Sequence, residues 1–131
     1  MKIENFNTLP KVTIGILSWN RFHYLKATLE SAKMCILYPN LEWIIIDNMS
    51  IEKGLKEYIN KQKGIDLKIF KKQTHADAMN ELVRKSSGKY ILIWPEDIQF
   101  VKKGDWLKEI IEILETNEML GSVGLNFLRK K

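Results

Sequence analysis

Tyr90-Ile91-Leu92-Ile93-Trp94-Pro95-Glu96-Asp97 runs five apolar or aromatic residues into a proline and two carboxylates. A run without polar alternation suits a strand covered on both faces, as in the middle of an α/β sheet. Gly88 marks the turn before it. Pro95 has no N–H for a sheet ladder and biases Trp94 toward an extended conformation, so pairing is expected to fade there and leave Glu96 and Asp97 on a loop. Open α/β sheets bind ligands beyond the carboxyl ends of their strands, which makes these two carboxylates candidates for a site.

The same design appears on either side of this stretch. Val12 to Leu17 reads as a first strand that ends in Ser18-Trp19-Asn20-Arg21. Asn20 is a good N-cap, and Leu25, Leu29 and Ala32 recur at helical spacing, which predicts a helix from about Arg21 to Met34. Glu42 to Asp47 is a second apolar strand that ends in a carboxylate, and Ser50 can cap a short helix with Leu55, Tyr58 and Ile59 on one face. Leu67 to Phe70 is a short third strand. Met79, Leu82 and Val83 form a helical stripe leading to Ser86-Ser87-Gly88 and the strand quoted above. Asp105 is expected to cap a helix whose Leu107, Ile110, Ile111 and Leu114 share a face, and Gly121 to Phe127 reads as a last strand. Strands alternating with helices predict an α/β fold with a mostly parallel sheet flanked by helices, whose strand ends share one crevice.

A chain of 131 residues is the size of one domain, so residues 1–131 are expected to form a single unit. One cysteine, Cys35, excludes an intrachain disulfide, and His23 and His75 alone make no cluster of zinc-site spacing. The formal charge of +5 comes from basic residues scattered over many elements. It reads as a solvated lysine-rich surface and not as a specific nucleic-acid platform, although a positive balance suits an anionic ligand or a membrane surface. The apolar runs are too short to span a bilayer, and Glu4 and Asn5 stand where a signal peptide needs its apolar stretch, so the sequence reads as cytoplasmic. The first strand is followed by neither a Gly-x-Gly-x-x-Gly turn nor a P-loop.

Ser18-Trp19-Asn20-Arg21, Tyr38-Pro39-Asn40 with Glu42, Ile46-Asp47-Asn48 with Ser50, Asn80 followed by Gly88 and Tyr90-Ile91-Leu92, and finally Pro95-Glu96-Asp97 stand in a particular order and spacing. Together they resemble the nucleotide-binding half of the GT-A glycosyltransferases, specifically the inverting family 2. The resemblance implies a Rossmann-like fold and transfer of a sugar, with inversion, from a nucleotide-diphosphate donor of the uridine type. It implies a nucleotide site made of Ser18, Trp19, Asp47 and Glu96. Trp19 is either a platform stacked on the base or a core tryptophan; Asp47 either accepts a hydrogen bond from the base edge or forms a turn. Asp97 occupies the last carboxylate position of the Asp-x-Asp metal motif, which implies a Mg²⁺ or Mn²⁺ ion shared with the diphosphate.

Two positions depart from that pattern. Pro95 replaces the first aspartate and offers no oxygen. Met79 replaces the arginine that precedes the helix asparagine, with Lys71, Lys72 or Arg84 as substitutes for its phosphate contact. The general base belongs, by resemblance, to an acceptor half beyond these residues, so no catalytic residue and no acceptor are assigned. A catalytically silent nucleotide-sugar-binding module is the alternative. The last strand is expected to leave apolar surface that a following domain, or a second copy in a homo-oligomer, would cover.

Overall fold

The computed structural model describes residues 9–124. Four strands, β1 (Val12–Ser18), β2 (Leu41–Asp47), β3 (Leu67–Phe70) and β4 (Tyr90–Pro95), pair in the order β3-β2-β1-β4, and every pairing is parallel. Between and after them run α1 (Phe22–Cys35), α2 (Leu55–Lys61), α3 (His75–Lys85) and α4 (Trp106–Thr116). Among the described residues no helix is long and apolar enough to cross a membrane.

Alternation along β1 sorts the core into two layers. Val12, Ile14 and Ile16 join Leu25 and Leu29 of α1, Leu55 and Ile59 of α2, and Leu107 and Ile111 of α4 in one large cluster. Leu17, with Ile44 and Ile46 of β2, faces the other way onto Ala78 and Leu82 of α3. Gly15 allows that second layer to close: a Cβ there would lie 2.3 Å from Leu82 Cδ2 and 2.6 Å from its Cδ1. All seven residues of β1 are buried, as expected for the strand paired on both sides.

Several local expectations are corrected. Among the described residues the Tyr90–Trp94 run is not the middle of the sheet: β4 lies at its edge, and only Trp94 of the run is buried. Its continuous apolarity comes from helices on both faces, since Tyr90 and Leu92 pack on the large cluster and Ile93 on the small one. Asn20 does not cap α1. Arg21 holds the cap position, while Asn20 takes a left-handed φ of 48° that asparagine tolerates and turns its side chain elsewhere. Ser50 does not cap α2, which starts after Gly54. Asp105 stands at the α4 cap position without a side-chain capping bond. On α3 the buried face is Ala78, Glu81 and Leu82; Val83 is exposed, and Thr74 supplies the cap by accepting from the Asp77 N–H. Of the strand expected over Gly121 to Phe127, residues 121–124 form no strand and the rest lies outside the described residues.

Candidate functional site

The carboxyl ends of the strands surround one cavity of about 290 Å³. Ser18, Trp19 and Arg21 enter it from the end of β1, and Asn48 from the end of β2. Gln73, Thr74 and His75 come from the β3–α3 connection, and Pro95, Glu96 and Asp97 from the end of β4. Four of the five residues expected at a site are thus brought together, Ser18, Trp19, Glu96 and Asp97.

Asp47, the fifth, sits at the right strand end but does not line the cavity. It is 1% exposed, and its carboxylate accepts from the Ser50 N–H at 2.8 Å and from the Ser50 hydroxyl at 2.6 Å. That serine oxygen in turn accepts from the Asn20 N–H at 2.8 Å. The Asn20 side-chain oxygen accepts from the N–H groups of Ile51 and Glu52, and the Glu52 carboxylate accepts from the Phe22 N–H at the start of α1. Asp47, Ser50, Asn20 and Glu52 thereby lock the β1–α1 loop to the β2–α2 loop. Trp19, next to Asn20 in this lock, is 56% exposed and lines the cavity, so it is not a core tryptophan.

The turn bearing the carboxylates is fixed from α1. The Thr28 hydroxyl lies 2.6 Å from the Glu96 carbonyl oxygen and 3.2 Å from that of Ile98, and the Ser31 hydroxyl oxygen accepts from the Phe100 N–H. Trp94, Phe100 and Trp106 stack in series beneath it, and the Trp94 indole N–H donates to Ile98. Asp97 pairs with Arg21 at 3.2 Å, both half exposed. Burial pushes the Glu96 carboxyl above its usual range and the Asp97 charge adds to this; Arg21 and the backbone N–H groups of Glu96 and Trp19 oppose the rise without cancelling it. Two buried polar atoms of the lining residues have no partner, the Ser18 hydroxyl and the Gln73 side-chain nitrogen.

Other motif residues lie at the opposite end of the strands. Thr13 donates to the Glu42 carboxylate, which also accepts from the Ser87 N–H and hydroxyl, while the Gly88 N–H donates to Thr13. Burial alone would raise the Glu42 carboxyl, but the Ser87 and Thr13 hydrogen bonds and the Lys11 charge bring it below the usual range. Asn40 donates to the Leu9 carbonyl and the Tyr38 hydroxyl to that of Pro10. These residues fasten the amino ends of the strands and take no part in the cavity.

The model of the family described as glycosyl transferase family 2 matches residues 13–130, nearly the whole chain. The chain belongs to glycosyl transferase family 2. A relative, the uncharacterized protein y4gI of Sinorhizobium fredii, is 26% identical over 111 residues that make up 81% of this chain and 12% of that protein. Among solved structures, the mannosyltransferase PcManGT of Pyrobaculum calidifontis, in complex with GDP-Man and Mn²⁺, matches with a TM-score of 0.67 at 18% identity, over 86% of this chain and 34% of its own. S. aureus TarS 1-349 in complex with UDP matches with a TM-score of 0.66 at 17% identity, over 91% of this chain and 38% of its own. The fold is the GT-A, Rossmann-like arrangement of these neighbours. The family 2 chain described here spans little more than a third of either solved protein and a far smaller share of y4gI.

The donor set of this family 2 member fits a divalent ion poorly. Among the described residues no three His, Cys, Asp or Glu side chains gather as an ion site. Pro95 has no oxygen to give, Glu96 is half-buried and turned toward backbone N–H groups, and Asp97 already faces a guanidinium. The expected phosphate substitutes Lys71, Lys72 and Arg84 do not line the cavity; Lys71 instead pairs with the buried Glu81 at 3.3 Å. The lining cation is Arg21, and His75 at the start of α3 lines the cavity beside it. Sequence reasoning missed Arg21, Gln73 and His75 as site residues, although each follows a strand end, which is the rule that found Glu96 and Asp97.

Proposed function

We propose that the cavity binds the nucleoside diphosphate part of a nucleotide-sugar donor, of the uridine type, and that the chain is the donor-binding part of an inverting glycosyltransferase. The observation that carries this is the convergence of an exposed aromatic ring, a guanidinium and unpartnered donors from separate strand ends on a single cavity. Family membership and the GDP-Man and UDP held by the two structural neighbours support the same ligand class.

In this reading Trp19 stacks on the base, a contact worth about 1–3 kcal/mol per base in other proteins. The Ser18 hydroxyl and the Gln73 amide donate to acceptor atoms of the nucleotide. Asp47 acts at one remove: its bonds to Ser50 keep the Trp19 loop in place. Glu96 and Asp97 border the space where the diphosphate meets the sugar. A cavity of about 290 Å³ is at the small end of ligand pockets, so the sugar and acceptor extend beyond it. Inverting transfer forms the bond from the acceptor hydroxyl oxygen to the anomeric carbon while the bond to the diphosphate oxygen breaks. The hydroxyl proton passes to a general base that we do not place among these residues.

The test is titration calorimetry of the protein with UDP, GDP and UDP-sugars. Binding to UDP is expected, with about a tenfold loss in Trp19→Ala and a smaller loss in Trp19→Phe. No binding of any nucleoside diphosphate at millimolar concentration would overturn the proposal. A catalytically silent donor-binding module is the second reading, favoured by Pro95 in the metal motif. Transfer assays with UDP-sugars on a protein that joins these residues to an acceptor-binding part separate the two, since a silent module binds the donor and releases no UDP even then.

A further inference from the structure

We propose that Arg21, and not a divalent ion, supplies the counter-charge for the diphosphate in this cavity. The inference rests on the cavity taking a nucleoside diphosphate and goes beyond it by naming how the charge is met.

A metal-bridged diphosphate needs carboxylate oxygens left free to hold the ion. Here the motif position that would help Asp97 is Pro95, and the Asp97 carboxylate faces the Arg21 guanidinium at 3.2 Å. A guanidinium needs no carboxylate to bind phosphate: its planar fork donates two parallel hydrogen bonds to phosphate oxygens. The Arg21–Asp97 pair is half exposed on both sides, and such pairs are weak, so an incoming diphosphate can displace Asp97 at little cost. Asp97 then serves to hold Arg21 toward the cavity until the ligand arrives.

The rest of the lining has the same polarity. The amino terminus of α3, an eleven-residue helix, opens on the cavity through Thr74, His75 and Ala78, placing the positive end of its dipole there. Ser18 is 3% exposed and its hydroxyl has no partner, while the buried Gln73 nitrogen is a donor without an acceptor. Buried polar groups are nearly always hydrogen-bonded, so these two mark places where a ligand's acceptors complete the network. Guanidinium, helix terminus, hydroxyl and amide nitrogen together make a donor-rich wall suited to an oxygen-rich anion. The acidic groups present, Glu96 and Asp97, number too few free oxygens to make it a cation site.

The experiment is calorimetric titration of the protein with UDP and with inorganic pyrophosphate, each in EDTA and in Mn²⁺. Affinities within about twofold of each other in the two conditions are expected. Arg21→Gln should weaken both ligands by at least about tenfold, the scale of a lost charge-assisted hydrogen bond, and Arg21→Lys by less, because the charge remains and the fork is gone. Asp97→Asn should bind as tightly as the parent or tighter. Arg21 is half exposed, so these variants are expected to fold, and circular dichroism verifies it. Affinity that rises tenfold or more with Mn²⁺ and is lost in Asp97→Asn would overturn the inference and leave the nucleotide site standing. Metal-independent binding unchanged in Arg21→Gln would also overturn it. No binding of either ligand in any condition would remove the nucleotide site and the inference together.

Discussion

Replacing Asp47 by alanine separates two roles that a strand-end carboxylate can play. In the structure its two oxygens accept from the Ser50 N–H at 2.8 Å and the Ser50 hydroxyl at 2.6 Å, and the residue is 1% exposed. Alanine deletes both acceptors and leaves two donors facing a small void. Hydrogen bonds to a charged acceptor contribute about 1.5–3 kcal/mol each, and partial entry of water recovers some of the sum, so a loss of about 3 kcal/mol is expected. In a domain of this size that lowers Tm by roughly 10–15 °C. Asp47→Asn keeps one acceptor and should cost about 1 kcal/mol. Because the Asn20 side-chain oxygen accepts from the Ile51 and Glu52 N–H groups directly after Ser50, both side chains hold the same β2–α2 loop, and Asn20→Ala and Asp47→Ala should be clearly non-additive in a double-mutant cycle. Urea unfolding and UDP calorimetry are run on the same samples. If Asp47→Ala unfolds within about 0.5 kcal/mol of the parent yet no longer binds UDP, Asp47 touches the ligand directly and the loop-locking account is wrong.

Much of the architecture was legible because each local signal agreed with its neighbours. The apolar runs at Val12, Glu42, Leu67 and Tyr90 became strands in parallel pairing, and the helical stripes between them became the flanking helices. What periodicity cannot convey is lateral position. The Tyr90–Trp94 run is apolar because helices cover both its faces, and that holds equally for an edge strand and a central one. Capping failed for a related reason. Asn20 and Ser50 are good cap residues by type, but the Asn20 side chain is taken by N–H groups about 30 positions away in the neighbouring loop, and the Ser50 hydroxyl by Asp47 and the Asn20 N–H, and these pairings outcompete the local caps. At the site, strand-end logic placed Ser18, Trp19, Glu96 and Asp97 together. It could not tell that Asp47 is consumed by Ser50, three residues on, because a carboxylate at a strand end and an Asx turn begin with the same residue. Nor could it reveal that Arg21 reaches Asp97 across 76 positions of sequence.

Gly15→Ala places a methyl group 2.3 Å from Leu82 Cδ2 in the tight contact between β1 and α3, and overpacking of this kind costs about 1–3 kcal/mol. Thermal unfolding should show the loss, and adding Leu82→Ala should recover less than the full stability while relieving the clash; a neutral Gly15→Ala would mean that α3 is not seated as closely as described. The remaining prediction concerns pH and follows from Glu96, whose carboxyl is held above its usual range by burial first and by Asp97 second, against Arg21 and two backbone N–H groups. The folded protein therefore keeps this proton at pH values where the unfolded chain has lost it. Where the folded state binds more protons, stability falls as pH rises, so the contribution of Glu96 is present below the ordinary carboxylate value of 4.5 and is lost as pH climbs from there through the raised folded value. Glu96→Gln is neutral throughout and should lack that fall, so the Tm of the parent relative to the variant should drop across the window and stay level on either side. UDP affinity should move the same way, strengthening as pH drops through the window in the parent because the protonated carboxyl no longer repels a diphosphate, and remaining flatter in Glu96→Gln. Parallel Tm curves for the two proteins across the window would show that the Glu96 proton is not held by the fold, and that neither its burial nor Asp97 acts on it as argued.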